Sequence, residues 1–231
     1  MTTPLILPQN SAALAMVNPL AGPDQEVATW FHTHLTSTFV TVLRTFTDFG
    51  SSEWIGVLLF LLVLFFVWKR WWPSLITLIV AVPGGMLLNE LVKVLVHRHR
   101  PFVDGPFVDW SGYSFASGHT IGATLLYGQL LVFILPVLKA RHWRVLSIFS
   151  AASLVAVVGF TRVALGAHFL TDVLAAVVFG VIWLALCVVA GKPMRQRSSR
   201  ARPIVALTDG RQAVLAPVEQ SAQPVRISQT N

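Results

Sequence analysis

Five stretches of this 231-residue chain are apolar for long enough, or nearly so, to cross the hydrocarbon core of a bilayer, about 30 Å thick and spanned by roughly 20 helical residues. They run approximately from Gly50 to Trp68, Trp71 to Val92, His119 to Leu138, Val145 to Arg162 and His168 to Gly191. The runs are continuous rather than alternating, and an unclosed sheet would leave backbone groups unpaired in lipid, so each is read as a helix. The expected fold is all-α, a polytopic membrane helix bundle with five transmembrane helices. Composition agrees: 55% of residues are hydrophobic and only 12% charged, where a water-soluble domain carries about a quarter. The formal charge of +7 could point to nucleic acid, but the basic residues fall between and after the apolar segments and build no basic face, so no nucleic-acid partner is expected. A single cysteine, Cys187, inside an apolar stretch, allows neither an intrachain disulfide framework nor a cysteine-built metal site.

Around these spans the chain divides into a segment 1–24, a membrane domain 25–191 and a tail 192–231. A sixth span in residues 4 to 22 stays open, although Gln9, Asn10, Asn18 and several prolines make it a poor one. No Lys or Arg precedes Arg44, so the basic start of a cleavable signal peptide is missing. From Asp24 to Phe49, Trp30, Phe31, Leu35, Phe39, Val40 and Leu43 recur near helical spacing among Thr and His, which predicts an interfacial N-terminal helix. Pro83, Gly84 and Gly85 predict a kink or a close helix contact in the second span. The tail is basic, rich in Ser, Gln and Pro, without aromatics, and is expected to be disordered.

Basic residues in short loops stay cytoplasmic. Lys69 and Arg70, then Lys139, Arg141 and Arg144, then the seven basic residues of the tail all fall on one side, 12 of 17 in total. This predicts a cytoplasmic tail, a non-cytoplasmic N-terminus, and a non-cytoplasmic position for the polar clusters at the opposite ends of the spans.

Those clusters are Lys93 to Pro101 (KVLVHRHRP), Ser114 to Thr120 (SFASGHT) and Thr161 to Asp172 (TRVALGAHFLTD). Ionisable groups at membrane depth are costly and so mark function by default. Lys93 and Arg100 are seven apart, two helical turns, and would project from one face to grip a phosphate; snorkelling anchors are the plainer alternative. Pro101 would mark the helix end, with His97, Arg98 and His99 left as interfacial residues. Ser117 and Gly118 enter the third span just before His119, where close backbone approach, unpaired amides and the helix dipole favour an anion; alone, the segment is only a loop and cap. His168 and Asp172 are four apart at the start of the fifth span, where a carboxylate can fix the imidazole tautomer and leave the other nitrogen free to attack phosphorus. Arg162 would add a third cation. A metal site would need ligands beyond this pair, and no HExxH or carboxylate cluster supplies them.

In order and spacing these clusters resemble the type 2 phosphatidic acid phosphatase superfamily, whose signature is K-x6-R-P, then P-S-G-H, then S-R-x5-H-x3-D. The first matches in full at Lys93, Arg100 and Pro101. In the second, Ala116 stands for Pro before Ser117, Gly118 and His119; in the third, Thr161 stands for Ser before Arg162, His168 and Asp172. The likeness covers roughly residues 25 to 190. It implies a lipid phosphate phosphatase needing no cofactor or metal: Lys93, Arg100, Arg162, Ser117 and the Gly118 amide bind phosphate, His168 attacks, Asp172 supports it, and His119 protonates the leaving oxygen and then activates water.

Framed by Phe102, Phe107, Trp110 and Tyr113, the site would suit an amphiphile in a bacterial plasma membrane, with selectivity expected in the Phe102–Tyr113 loop. A polyprenyl diphosphate such as undecaprenyl diphosphate is the favoured substrate, with phosphatidic acid and phosphatidylglycerol phosphate beside it. Two other classes make different predictions. A non-catalytic protein that binds or moves phospholipid predicts loss of His168, His119 or Arg162, all of which are present; a pore predicts charges spread through the bilayer depth rather than gathered near one face. Nothing in the chain fixes its oligomeric state.

Overall fold

The computed structural model of the chain describes residues 20–102 and 110–200, with residues 193–200 by backbone alone. Every regular element among the described residues is helical. In chain order they are α1 (Ala21–His34), α2 (Ser37–Thr47), a 3-10 turn (Asp48–Gly50), α3 (Ser52–Trp68), α4 (Trp72–Val96), α5 (Gly118–Ile134), α6 (Arg141–Ala164) and α7 (Leu170–Arg200). Local chemistry explains the breaks. Thr36 caps α2 by accepting from the Phe39 amide at 3.4 Å, and Ser51 caps α3 by accepting from the Trp54 amide at 3.1 Å, so a short polar residue starts each helix. The expected single interfacial helix over 24–49 is therefore two helices, and α2 runs through the turn into α3 as one apolar run of 32 residues, Ser37–Trp68.

α5 is the axis of the bundle. It packs against α3, α4, α6 and α7, and its residues from Thr120 to Tyr127 are all buried. The outer helices are inside-out by the standards of a soluble protein: Phe60, Leu61 and Leu64 on α3 and Val145, Leu146 and Phe149 on α6 are exposed, as a lipid-facing surface requires. α4, α6 and α7 are each long and apolar enough to cross a membrane, as is the α2–α3 run, while α5 is shorter at 17 residues. Pro83 lies within α4, and the close contact expected there is made by α7: Trp183 Nε1 donates to the carbonyls of Val80 and Ala81 at 3.3 and 3.1 Å, with its ring lying against Gly84 and Gly85.

Two helix ends differ from expectation and both matter to the site. α4 stops at Val96, where His97 turns left-handed at φ 53° and donates its amide to the Lys93 carbonyl, so the helix ends before Pro101 rather than at it. α7 begins at Leu170, so His168 precedes the helix instead of sharing a face with Asp172. At the other end α7 runs past the expected boundary near Gly191 to Arg200. The expectations for residues 1–19, for Phe107 with the rest of 103–109, and for the tail beyond Arg200 lie outside the described residues.

Candidate active site

The residues that the sequence marks are drawn together by the ends of four elements. Lys93 reaches from the last turns of α4 to the first residue of α5: a side-chain carbon on Gly118 would lie 3.3 Å from its Nζ, so the missing Cβ is what admits the ammonium. Lys93 also pairs with Glu90 at 2.7 Å. Ser117 is fully buried at the head of α5; its hydroxyl accepts from Thr120 at 3.0 Å and its amide donates to the Asp172 carbonyl at 3.4 Å. His119 follows in the first turn, facing the charges of Arg162, Lys93 and Arg100.

Arg100 is not on the Lys93 helix but in the loop beyond it, and it is oriented by main chain. Nε donates to Gly112 O at 3.1 Å, one terminal nitrogen to Ala167 O at 2.8 Å and the other to Ser111 O at 3.0 Å. Three carbonyls thus fix the plane of the guanidinium, and one of its nitrogens lies 3.5 Å from His168 Nε2. Burial pulls Arg100 below its ordinary pKa, opposed by the charges of Asp172 and Glu90. Arg162 leaves the last turn of α6, donates to Thr47 at 3.3 Å and stacks its guanidinium 4.9 Å from the Trp110 ring centre.

His168 is 2% exposed, in a turn whose amides at Ala167 and His168 return to the Arg162 carbonyl at 3.0 and 3.2 Å. Gly166 makes that turn possible, at φ 69° and with its Cα close enough to Phe102 that a Cβ would sit 2.8 Å from the ring. The imidazole tautomer is set by main chain: Nδ1 donates to Ser114 O at 2.7 Å, and the Asp172 carboxylate stands 3.9 Å from that nitrogen. The expected direct His–Asp pairing is thus replaced by an indirect one, because Asp172 accepts from the Ser114 hydroxyl and from the Phe169 amide, the latter at 3.0 Å. Burial first, then Arg162 and Arg100, lower His168 well below its ordinary pKa, against a smaller raising effect of the Ser114 bond. With Nδ1 donating to Ser114, the other ring nitrogen, Nε2, faces Arg100.

Lys93, Arg100 and Arg162 thus gather their charges around the His168 imidazole, whose Nδ1 is held by main chain, and comparison with known proteins places the chain in a family. A family model described as the PAP2 superfamily matches residues 74–195. The chain is also 32% identical over 143 residues to phosphatidylglycerophosphatase B of Bacillus subtilis (strain 168), a match covering 61% of this chain and 70% of that protein. The chain belongs to the PAP2 superfamily. Its fold is similar to the crystal structure of a transmembrane PAP2-type phosphatidylglycerolphosphate phosphatase from Bacillus subtilis, with a TM-score of 0.69 and 26% identity over 83% of this chain and 93% of that one. The crystal structure of Aquifex aeolicus LpxE shares the fold at a TM-score of 0.52 and 20% identity, over 71% of this chain and 93% of that one. The protein is accordingly an integral membrane lipid phosphate phosphatase of the PAP2 type.

Neither departure of this PAP2 phosphatase from the family signature changes an ionisable group. The Thr161 hydroxyl donates to Val158 O at 2.7 Å within its own helix, and Ala116 is fully buried with its carbonyl taken by Asn89 at 3.3 Å. Residues that the sequence does not single out complete the site. Arg98, expected at the interface, donates to Asp172 at 2.6 Å and to Asp24 at 2.8 Å; Ser114 links Asp172 to His168; Thr47 meets Arg162. A signal was present for one of them: a buried carboxylate such as Asp172 needs a cation, and Arg98, read as interfacial, lies in the same cluster as Lys93 and Arg100.

Proposed function

We propose that this phosphatase hydrolyses phosphatidylglycerol phosphate, through a phosphohistidine on His168. The observation that carries the mechanism is the imidazole itself: Nδ1 is engaged by the Ser114 carbonyl, which leaves Nε2 as the only nitrogen with a free lone pair, and that nitrogen points toward Arg100. Nε2 attacks phosphorus in line and the bond to the lipid oxygen breaks. Lys93, Arg100, Arg162, Ser117 and the Gly118 amide neutralise the oxygens of the transferring group, a role that fixed cations can fill without a metal ion. His119, in the first turn of α5, gives its proton to the leaving oxygen and then takes one from the water that cleaves the P–N bond, which releases phosphate and restores His168. Asp172 acts from behind, through Ser114.

The names of the Bacillus subtilis relative and of the Bacillus subtilis crystal structure support phosphatidylglycerol phosphate ahead of the polyprenyl diphosphate favoured on sequence, for which no comparison speaks specifically. The basic loops support a site on the non-cytoplasmic face of a bacterial plasma membrane, with the tail cytoplasmic.

The test is phosphate release by the detergent-purified protein, with EDTA present, from phosphatidylglycerol phosphate, phosphatidic acid and undecaprenyl diphosphate. Release that is fastest on phosphatidylglycerol phosphate, survives EDTA, and falls on the order of 10³-fold or more in His168→Ala supports the reading. A faster rate on another lipid replaces the substrate, and a His168→Ala variant as active as wild type removes the mechanism.

A further inference from the structure

Two charged residues near His168, one of them buried, belong to none of the three clusters' signature positions. Asp24, 3% exposed, stands in the first turn of α1, and Arg98 lies in the loop that follows α4. One terminal nitrogen of Arg98 donates to Asp172 Oδ1 at 2.6 Å and to Thr171 Oγ1 at 2.7 Å, and the other donates to Asp24 Oδ2 at 2.8 Å. Beneath the fork, the Phe169 ring lies 4.2 Å from the guanidinium carbon. Asp24 also takes the Thr171 amide on Oδ1 at 3.1 Å and the Thr171 hydroxyl on Oδ2. A carboxylate from α1 therefore sits on the N-terminus of α7, where unpaired amides and the helix dipole favour an anion, while it holds the far side of the same guanidinium that grips Asp172.

The chain of contacts leads to the nucleophile. Asp172 has Arg98 on one oxygen and the Ser114 hydroxyl and Phe169 amide on the other, and the Arg98 carbonyl accepts the Ser114 amide at 2.8 Å. The Ser114 carbonyl in turn holds His168 Nδ1. Arg98 thus fixes Ser114 twice, through its own backbone and through Asp172. An Arg is suited to this because a planar fork can serve two carboxylates at once, which an ammonium cannot do with the same rigidity.

We propose that Asp24 and Arg98 are positioning residues for phosphate transfer: the α1 carboxylate clamps the Arg98 guanidinium against Asp172, and the clamp sets Ser114 and, through it, the imidazole of His168. The inference rests on the reading of His168 as nucleophile. Neither residue touches the phosphate, so their loss acts on turnover while substrate capture by Lys93, Arg100 and Arg162 is kept.

The experiment uses the full chain in detergent with phosphatidylglycerol phosphate in mixed micelles. kcat and KM are measured for wild type, Asp24→Asn, Asp24→Glu, Arg98→Lys and His168→Ala, with Glu26→Gln as an exposed control on the same helix. Thermal unfolding of each variant gives the folded fraction by which kcat is normalised. Asp24→Asn keeps the side-chain shape and removes only the charge, so it addresses the clamp even where a larger change prevents folding. The expected result is a kcat lowered about ten- to a hundredfold in Asp24→Asn and Arg98→Lys with KM within about threefold of wild type, and partial recovery in Asp24→Glu. A normalised kcat within about twofold of wild type in both variants overturns the clamp while a dead His168→Ala leaves the mechanism standing. Activity lost only in proportion to folded protein also overturns it, since a purely structural role behaves that way. An active His168→Ala removes the mechanism and the inference with it.

Discussion

Burial and the charges of Arg162 and Arg100 hold His168 well below the ordinary imidazole pKa. The group is then neutral in the folded protein through the mildly acidic range, while in the unfolded chain it takes a proton near pH 6.5. Because the folded value is the lower one, its stabilising contribution is complete above about pH 6.5 and is lost as pH falls toward the folded value. Thermal unfolding between about pH 8 and 5 should therefore show a steeper acid-side loss in wild type than in His168→Asn, and equal slopes would count against a buried neutral imidazole. Arg100→Lys is expected to lower kcat/KM on the order of 10²-fold, because an ammonium cannot meet the carbonyls of Gly112, Ala167 and Ser111 and still face the phosphate. Steady-state kinetics beside a thermal midpoint would separate that loss from unfolding. At this scale the sequence marks the groups proposed to touch phosphate, since charge at membrane depth stands out against apolar neighbours. It does not show how Asp24, Arg98 and Ser114 pair, because their contacts join positions 58 to 147 residues apart and no local spacing encodes such a pairing.

At the scale of helices, the head of α5 is fixed by how tightly its neighbours approach. A Cβ on Gly50, just before α3, would lie 2.8 Å from the His119 carbonyl oxygen and 2.6 Å from Val158. The first is backbone in the first turn of α5, so Gly50→Ala must displace the turn that carries His119, at a cost of about 1–3 kcal/mol in stability. Activity should fall with the thermal midpoint, whereas Gly22→Ala, with nothing within 4 Å, should leave both unchanged; equal behaviour of the two would mean that the turn is free to move. The spans were legible because 20 or so apolar residues admit few alternatives in lipid. Their ends were less so: the left-handed His97 closes α4 ahead of Pro101, a conformation that a non-glycine residue does not announce, and the turn that Gly166 marks extends past His168, so that α7 starts only at Leu170.

For the whole molecule, orientation is a prediction from charge. An alkaline phosphatase reporter joined to the tail should be inactive and a fluorescent protein there bright, while the reverse would put the tail outside and the proposed site on the cytoplasmic face. The fold class followed from the apolar runs, but which ends converge depends on α5 standing at the centre, a position that its sequence marks only by its shorter length and by Thr120, Thr124 and Gln129, polar residues that end up buried. That convergence has a consequence for how the protein is made. Asp24 is among the earliest described residues to be synthesised, and its partner Thr171 follows 147 positions later, beside His168 at the threshold of the last span. On the proposed mechanism, a growing chain threaded into the bilayer helix by helix lacks its nucleophile until the turn before α7 arrives, so an incomplete copy left in the membrane is expected to be inert toward the lipids around it.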